Sequence, residues 1–246
     1  MQPHLIQSSL LASIPGLAHG FLSGHTPEGK AEIQRLEISI ATAQQVHGAE
    51  LLWVAAPEKR ARPADAVATL TPGLGAGVYS ADCTPILVAA LAAGDRPVAV
   101  MAVHGGWRGT ALQIGAKALR AFAAEVGPRA DRFVAAIGPC ISFESFEVGE
   151  EVVAAFPGSL ERGLARPLRT DESGAQKFLF NLPGENLRQI QSAAAEMGIS
   201  LSAEPLPICT LKETARLPSY RRDREKAGRL LSYVSIGALA AGAKLG

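Results

Sequence analysis

Two apolar runs constrain the fold more than anything else in the chain. Ile86-Leu87-Val88-Ala89-Ala90-Leu91 and the run from Val98 to Val103 lack the polar alternation of a half-buried strand, so each reads as a strand covered on both faces. Gly94-Asp95 supplies a turn between them. The pair reads as a hairpin at the centre of a covered sheet, and each strand has a reactive side chain at one end, Cys83 before the first and His104 after the second.

A chain of 246 residues is long enough for one large domain or two small ones. No repeat, linker or composition break divides it, so a single domain, residues 1–246, is expected. Aromatic residues are only 5%, so Ala, Val and Leu must fill the core. Lys plus Arg (24) nearly balances Asp plus Glu (23), which excludes a general nucleic-acid or anionic-membrane surface and favours a small neutral or locally anionic partner. The three cysteines, Cys83, Cys140 and Cys209, are odd in number and form no Cys-x-x-Cys pair, which points to a reducing compartment. The first residues carry no basic stretch leading into an apolar one, and no run reaches the ~18 apolar residues of a membrane span. A cytoplasmic protein is expected.

Alternating apolar residues from Leu36 to Thr42 predict a half-buried strand that delivers Gln45-Val46-His47-Gly48 to its end. Further strands are expected at Leu51 to Ala55, Asp65 to Thr69, Ala76 to Ala81, Phe133 to Ile137 and Leu230 to Ile236. Thr110 is placed to cap a helix with apolar positions Leu112, Leu119, Phe122, Ala123 and Val126, which Gly127-Pro128 ends. Gly149 to Phe156 reads as a short helix, and Leu187, Ile190, Ala194 and Met197 form the stripe of another that Gly198 stops, with Met197 in the core. Pro157 to Lys177 reads as loop, and the basic run from Arg221 to Arg229 as a solvated face.

His47, Cys83 and His104 all stand at strand ends, so one sheet edge could gather them. Two imidazoles and a thiolate suit zinc and leave a fourth position open, with Asp82 available to support the site. Alternatively, Cys83 and His104 form a nucleophile–base dyad, or Cys83 is a buried small apolar residue. Spacing alone separates none of these. Gly105-Gly106 lets the backbone approach a ligand, and the helix opening after it directs N–H groups and Arg108 toward an anion, although no phosphate-loop motif is present. His19 and His25 read as solvated loop residues.

Taken together, Gln45-Val46-His47-Gly48, Ala81-Asp82-Cys83, His104-Gly105-Gly106-Trp107-Arg108-Gly109, Ile137-Gly138-Pro139-Cys140-Ile141, Phe146-Glu147-Val148-Gly149 and Ser219-Tyr220-Arg221-Arg222-Asp223 resemble the YfiH family. Its members have been called polyphenol oxidase or laccase-domain proteins and are regarded as purine nucleoside phosphorylases. The resemblance, from Gln44 to Ile236, implies a single-domain α/β (α+β) layered sandwich whose central mixed sheet is covered by helices, related to the toxin-like cysteine hydrolases. It implies zinc or copper bound by His47, Cys83 and His104, with Cys83, His104 and Arg108 catalytic and Arg108, Arg221 and Arg222 holding phosphate. The implied activities are phosphorolysis of adenosine, inosine and methylthioadenosine, and adenosine deamination. The implied partners are therefore a small nucleoside and phosphate.

Three departures stand out. The family's His-Ala-Gly-Trp-Arg-Gly has glycine at position 105, and its Asp-Leu is Asn181-Leu182. The segment before His47 is short, with Phe21-Leu22-Ser23-Gly24-His25 where the family has Phe-Ser/Thr-x-Arg-x-Gly-Gly. Two other function classes compete: a Cys–His hydrolase or amidase acting on cell-wall peptide precursors, and a noncatalytic zinc-binding protein. Copper-dependent phenol oxidation is disfavoured, because one three-ligand site lacks the several coppers that oxygen reduction needs.

Overall fold

The computed structural model describes residues 5–35, 39–60 and 62–237. In chain order its strands are β1 (Leu5–Ile6), β2 (Leu17–Ser23), β3 (Ser39–Thr42), β4 (Leu51–Trp53), β5 (Ala66–Thr69), β6 (Leu74–Ser80), β7 (Thr84–Ala92), β8 (Arg96–Gly105), β9 (Arg132–Ile137), β10 (Glu147–Val148), β11 (Ala165–Thr170), β12 (Gln176–Phe180), β13 (Ser200–Pro205) and β14 (Leu230–Ile236). The helices are α1 (Ser9–Ala12), α2 (Pro27–Arg35), α3 (Trp107–Ala111), α4 (Ile114–Val126), α5 (Glu150–Ala154), α6 (Leu182–Met197) and α7 (Tyr220–Asp223).

The two apolar runs are β7 and β8, an antiparallel pair at the middle of a six-stranded mixed sheet ordered β13-β9-β7-β8-β5-β4. Their residues divide by parity, as a period of two requires. Ile86, Val88 and Ala90 face α4 and α6, packing with Ile114, Leu119, Phe122 and Ile190, whereas Leu87, Ala89 and Leu91 face a core built with Phe21, Val78 and Val234. That second core belongs to a five-stranded sheet, β1-β2-β14-β6-β3. The expected cover of helices therefore holds on one face only; a second sheet covers the other. The apolar runs demand cover but do not say of which kind.

The expected strand at Leu36 to Thr42 is β3; its first three positions lie outside the described residues. The stretch from Pro157 to Lys177, expected to be loop, contains β11, which joins β10 and β12 in a small third sheet. Only Ala165 of β11 is buried, so the apolar signal that normally marks a strand is absent there. α6 runs as its stripe predicted: the Asn181 side chain caps it by accepting from the Gly184 N–H at 2.9 Å, and Gly198 ends it at φ +66°. Thr110 caps nothing. It lies inside the single turn of α3, and α4 begins separately after Gln113, which is left-handed at φ +64°. The Thr110 hydroxyl donates to the Gly106 carbonyl and accepts from Asn186 Nδ2 at 3.0 Å, pinning α3 to α6.

Candidate metal centre

The hairpin register places Pro85 opposite His104, so Cys83 and His104 meet at the open end of the β7–β8 pair. His47 reaches them from the loop after β3, held at φ +59°. One ligand atom from each of the three residues lies within 4.8 Å of the others, and among the described residues no other such cluster of three exists. The imidazoles of His47 and His104 stand edge to face, with centroids 5.0 Å apart. Glycine at position 106 makes this approach possible: a Cβ there would sit 3.0 Å from His47 Cδ2 and 3.1 Å from Cys83 Sγ.

The carboxylate behind the site is Asp65, fully buried, and not Asp82 as expected. Asp65 accepts from the backbone N–H groups of Val46, His47 and Gly48 at 3.1, 3.0 and 2.7 Å, which winds the His47 loop around it. The same carboxylate accepts from His104 Nδ1 at 2.8 Å, fixing the proton on Nδ1 and leaving Nε2 as the donor atom toward Cys83. Burial pushes the Asp65 carboxyl up, but the His104 hydrogen bond and these amides outweigh it and hold it below its usual range. Asp82, left-handed at φ +80°, accepts instead from Thr210 Oγ1 at 2.6 Å, Ser219 Oγ at 3.0 Å and the Arg221 N–H at 2.6 Å.

Burial also opposes ionisation of Cys83, yet the charge and hydrogen bonds of His104, with those of His47, bring the thiol down to about 6. Burial likewise opposes protonation of His104, yet Cys83 and Asp65 raise it to about 9. In the metal-free protein each of these two groups favours the charged form of the other, a thiolate beside an imidazolium. A thiolate and two imidazoles, one of them oriented from behind, match the donor chemistry of a soft divalent ion, whose binding would release the proton from His104 Nε2.

The three residues form the floor of a cleft of about 1130 Å³. Arg108 is on its wall with the guanidinium carbon 4.5 Å from the centre of the Trp107 ring, and Arg221 stands 5.5 Å over Phe146 while donating to the Glu147 carbonyl at 2.8 Å. α3 is a single five-residue turn, too short to supply a helix dipole on this wall.

The family profile described as multi-copper polyphenol oxidoreductase laccase matches residues 29–237. The chain belongs to this laccase-domain, or YfiH, family. The purine nucleoside phosphorylase of Deinococcus radiodurans is 33% identical over 198 residues, covering 80% of this chain and 70% of that protein. That of Streptomyces coelicolor is 34% identical over 200 residues, covering 77% and 72%. The crystal structure of Bacillus licheniformis YfiH shares the fold, with a TM-score of 0.75 at 21% identity, covering 95% of this chain and 97% of that one.

Two departures from the YfiH pattern have local causes. A Cβ at position 105 would stand 2.5 Å from Asn186 Oδ1, so alanine there conflicts with the Asn186 side chain that braces α3. Asn181 supplies the same capping acceptor that an aspartate would. Of the site residues expected from the YfiH motifs, His47, Cys83, His104, Arg108 and Arg221 line the cleft. Arg222 does not: its guanidinium donates to the carbonyls of Thr210, Leu211 and Leu217 and pairs with Asp223 at 2.7 Å, so it holds the loop together.

Sequence reasoning missed Asp65. The available signal was a charged residue opening an otherwise apolar strand. It also missed Lys59, Arg60, Arg224 and Arg229 as cleft residues. His19, expected to be solvated, is buried; its Nε2 accepts from the Ser8 N–H at 3.0 Å, and burial pushes the imidazole down to about 4. His25 is half-buried, outside the cleft. Cys140 and Cys209 adjoin as an isolated parallel bridge, both free, and burial pushes the Cys140 thiol up to about 12, which makes it inert at neutral pH.

Proposed function

We propose that the chain is a metal-dependent purine nucleoside phosphorylase, acting on adenosine, inosine and methylthioadenosine with phosphate, and deaminating adenosine as a second activity. The observation supporting this reading is the convergence of His47, Cys83 and His104 on the floor of a cleft walled by Arg108 and Arg221. The names of the relatives point the same way. On this reading residues 1–246 act as one catalytic domain in the cytoplasm, on a dissolved nucleoside and phosphate, with no nucleic-acid or membrane partner.

Zinc or copper, held by His47, Cys83 and His104, would supply a Lewis acid at the cleft floor. In phosphorolysis a phosphate oxygen bonds to C1′ of the ribose while the C1′–N9 bond breaks and its electron pair leaves with the purine. Arg108 and Arg221 hold the phosphate through charge-assisted hydrogen bonds, and their stacking on Trp107 and Phe146 orients them in advance. Asp65 keeps the His104 proton on Nδ1, and Tyr79, Phe146 and Tyr220 offer apolar surface to the base. Deamination requires the C6 edge of the purine, instead of the ribose, to face the floor.

One observation favours a second reading. Cys83, His104 and Asp65 are ordered as nucleophile, base and orienting carboxylate, which is the arrangement of a cysteine hydrolase. In that chemistry His47 only helps to favour the thiolate, whereas a metal site uses it as third ligand. The deciding experiment is metal analysis of the pure protein, then incubation with adenosine with and without phosphate. Phosphate-dependent release of adenine, lost together with the metal in His104→Ala, is expected. Turnover that persists in a fully metal-free preparation, or release of adenine that ignores phosphate, would assign the chemistry to the Cys83 thiol.

A further inference from the structure

Four of the six cations in the cleft, Lys59, Arg60, Arg224 and Arg229, take no part in the chemistry above. Lys59, Arg60 and Arg229 come from segments beside the five-stranded sheet, and Arg224 caps the end of α7. The Arg60 N–H donates to Thr42 Oγ1 at the end of β3, and Arg229 directly precedes β14, whose first residue pairs with Ser80 at the end of β6. Arg108 and Arg221, by contrast, are tied to α3 and to Asp82 beside Cys83. The cleft therefore carries an inner pair of cations and an outer group of four.

Outside the cleft, Arg120, Arg129, Arg132, Arg166, Arg169, Arg188 and Arg222 are each held by a carboxylate, whereas Arg62, Arg96, Arg162 and Arg216 have no carboxylate partner among the described residues. Among the described residues, none of the six cleft cations has such a partner. Among the described residues, Asp82 is the one carboxylate lining the cleft, and its oxygens are engaged by Thr210, Ser219 and Arg221. The whole chain has a formal charge of only +1, so these cations are concentrated in one place and not a sample of a basic surface. Like charges gathered in a cleft repel one another and raise the local concentration of anions. Arg60 and Arg224 are also both held at positive φ, +51° and +52°, a backbone state that non-glycine residues disfavour. A single inorganic phosphate met by Arg108 and Arg221 does not require any of this.

We propose that the outer group is a subsite for an anionic group carried by the substrate itself, so that the cleft accepts purine nucleoside 5′-phosphates. The proposal rests on the nucleoside reading of the cleft floor. With AMP, inorganic phosphate forms a new C1′–O bond, and the C1′–N9 bond breaks with its electron pair passing to the purine. The purine takes up a proton from solvent, and the products are adenine and ribose 1,5-bisphosphate. The 5′-phosphate stays intact and rests on the outer cations throughout.

The test uses the intact protein with AMP, adenosine and ribose 5-phosphate, measuring binding by calorimetry at low and high ionic strength and turnover with phosphate. AMP should bind about tenfold or more tightly than adenosine at low ionic strength, and added salt should shrink the gap. In Lys59→Ala/Arg60→Ala and in Arg224→Ala, the kcat/KM ratio of AMP over adenosine should fall by a similar factor, while Arg60→Lys and Arg224→Lys keep part of it. Melting curves identify any variant that has failed to fold, and the lysine variants then carry the comparison. AMP binding no better than adenosine, or an AMP preference that survives in both alanine variants, would overturn the subsite. Cleavage of adenosine without any AMP preference leaves the phosphorylase standing and removes the subsite. An AMP preference lost in the variants, with no phosphate-dependent cleavage of adenosine, leaves the subsite standing and removes the phosphorylase.

Discussion

Asp65 and Asp82 flank the same three candidate ligands and serve different parts of the cleft. Asp65 lies 18 residues from His47 and 39 from His104, yet its carboxylate holds the backbone of the first and the ring of the second. Asp82 is adjacent to Cys83, yet its carboxylate reaches across to Thr210, Ser219 and Arg221 and so fastens the segment that carries a cation into the cleft. One buried carboxylate organises the floor; the other organises a wall. Nearness in sequence is a poor guide to which carboxylate supports a ligand, because support depends on where hydrogen-bond donors point after folding.

Substitutions can break this distinction or sharpen it. The largest effect is expected for Asp65→Ala. It strands three amides and a buried imidazolium, which should cost about 3–5 kcal/mol of stability and lower zinc affinity about 100-fold, read by melting and by competition with a chelating dye. Wild-type zinc affinity in that variant would remove Asp65 from the site. Asp82→Ala should cost about 2 kcal/mol and raise the KM for phosphate through misplacement of Arg221. Its zinc affinity should change by less than about tenfold, below the full range for a lost supporting group. Equal zinc losses in the two variants would erase the contrast between floor and wall.

The smallest effect concerns protons. In metal-free protein the rate of Cys83 alkylation should rise with pH and reach half its plateau at a pH of about 6, since only the thiolate reacts. Asp65→Asn should move that midpoint upward, because it weakens the charge on His104 that favours the thiolate. Asp82→Asn should leave it where it is. A wild-type midpoint near the ordinary thiol value would show that Cys83 and His104 do not form the ion pair.

Much of the site was legible as residue types at strand ends. His47, Cys83 and His104 each follow or precede an apolar run, and Arg108 follows the glycines after His104. Arg221 and Arg222 were not distinguishable, since adjacent residues on a one-turn helix point in different directions and only packing decides which faces the cleft. Strand β11 escaped because an exposed edge strand has no apolar alternation to show. The outer cations escaped because they come from two loops far apart in the chain.

By itself the sequence determined the doubly covered hairpin, the helix α6 that Gly198 ends, and the placing of His47, Cys83 and His104 at the ends of apolar runs, because periodicity, capping and side-chain chemistry are local properties. Only the tertiary structure decided that a second sheet covers one face of the hairpin, that Asp65 backs the ligands, and that unpaired cations share one cleft. Each of these depends on which distant segments come into contact, and short-range pattern carries no record of that.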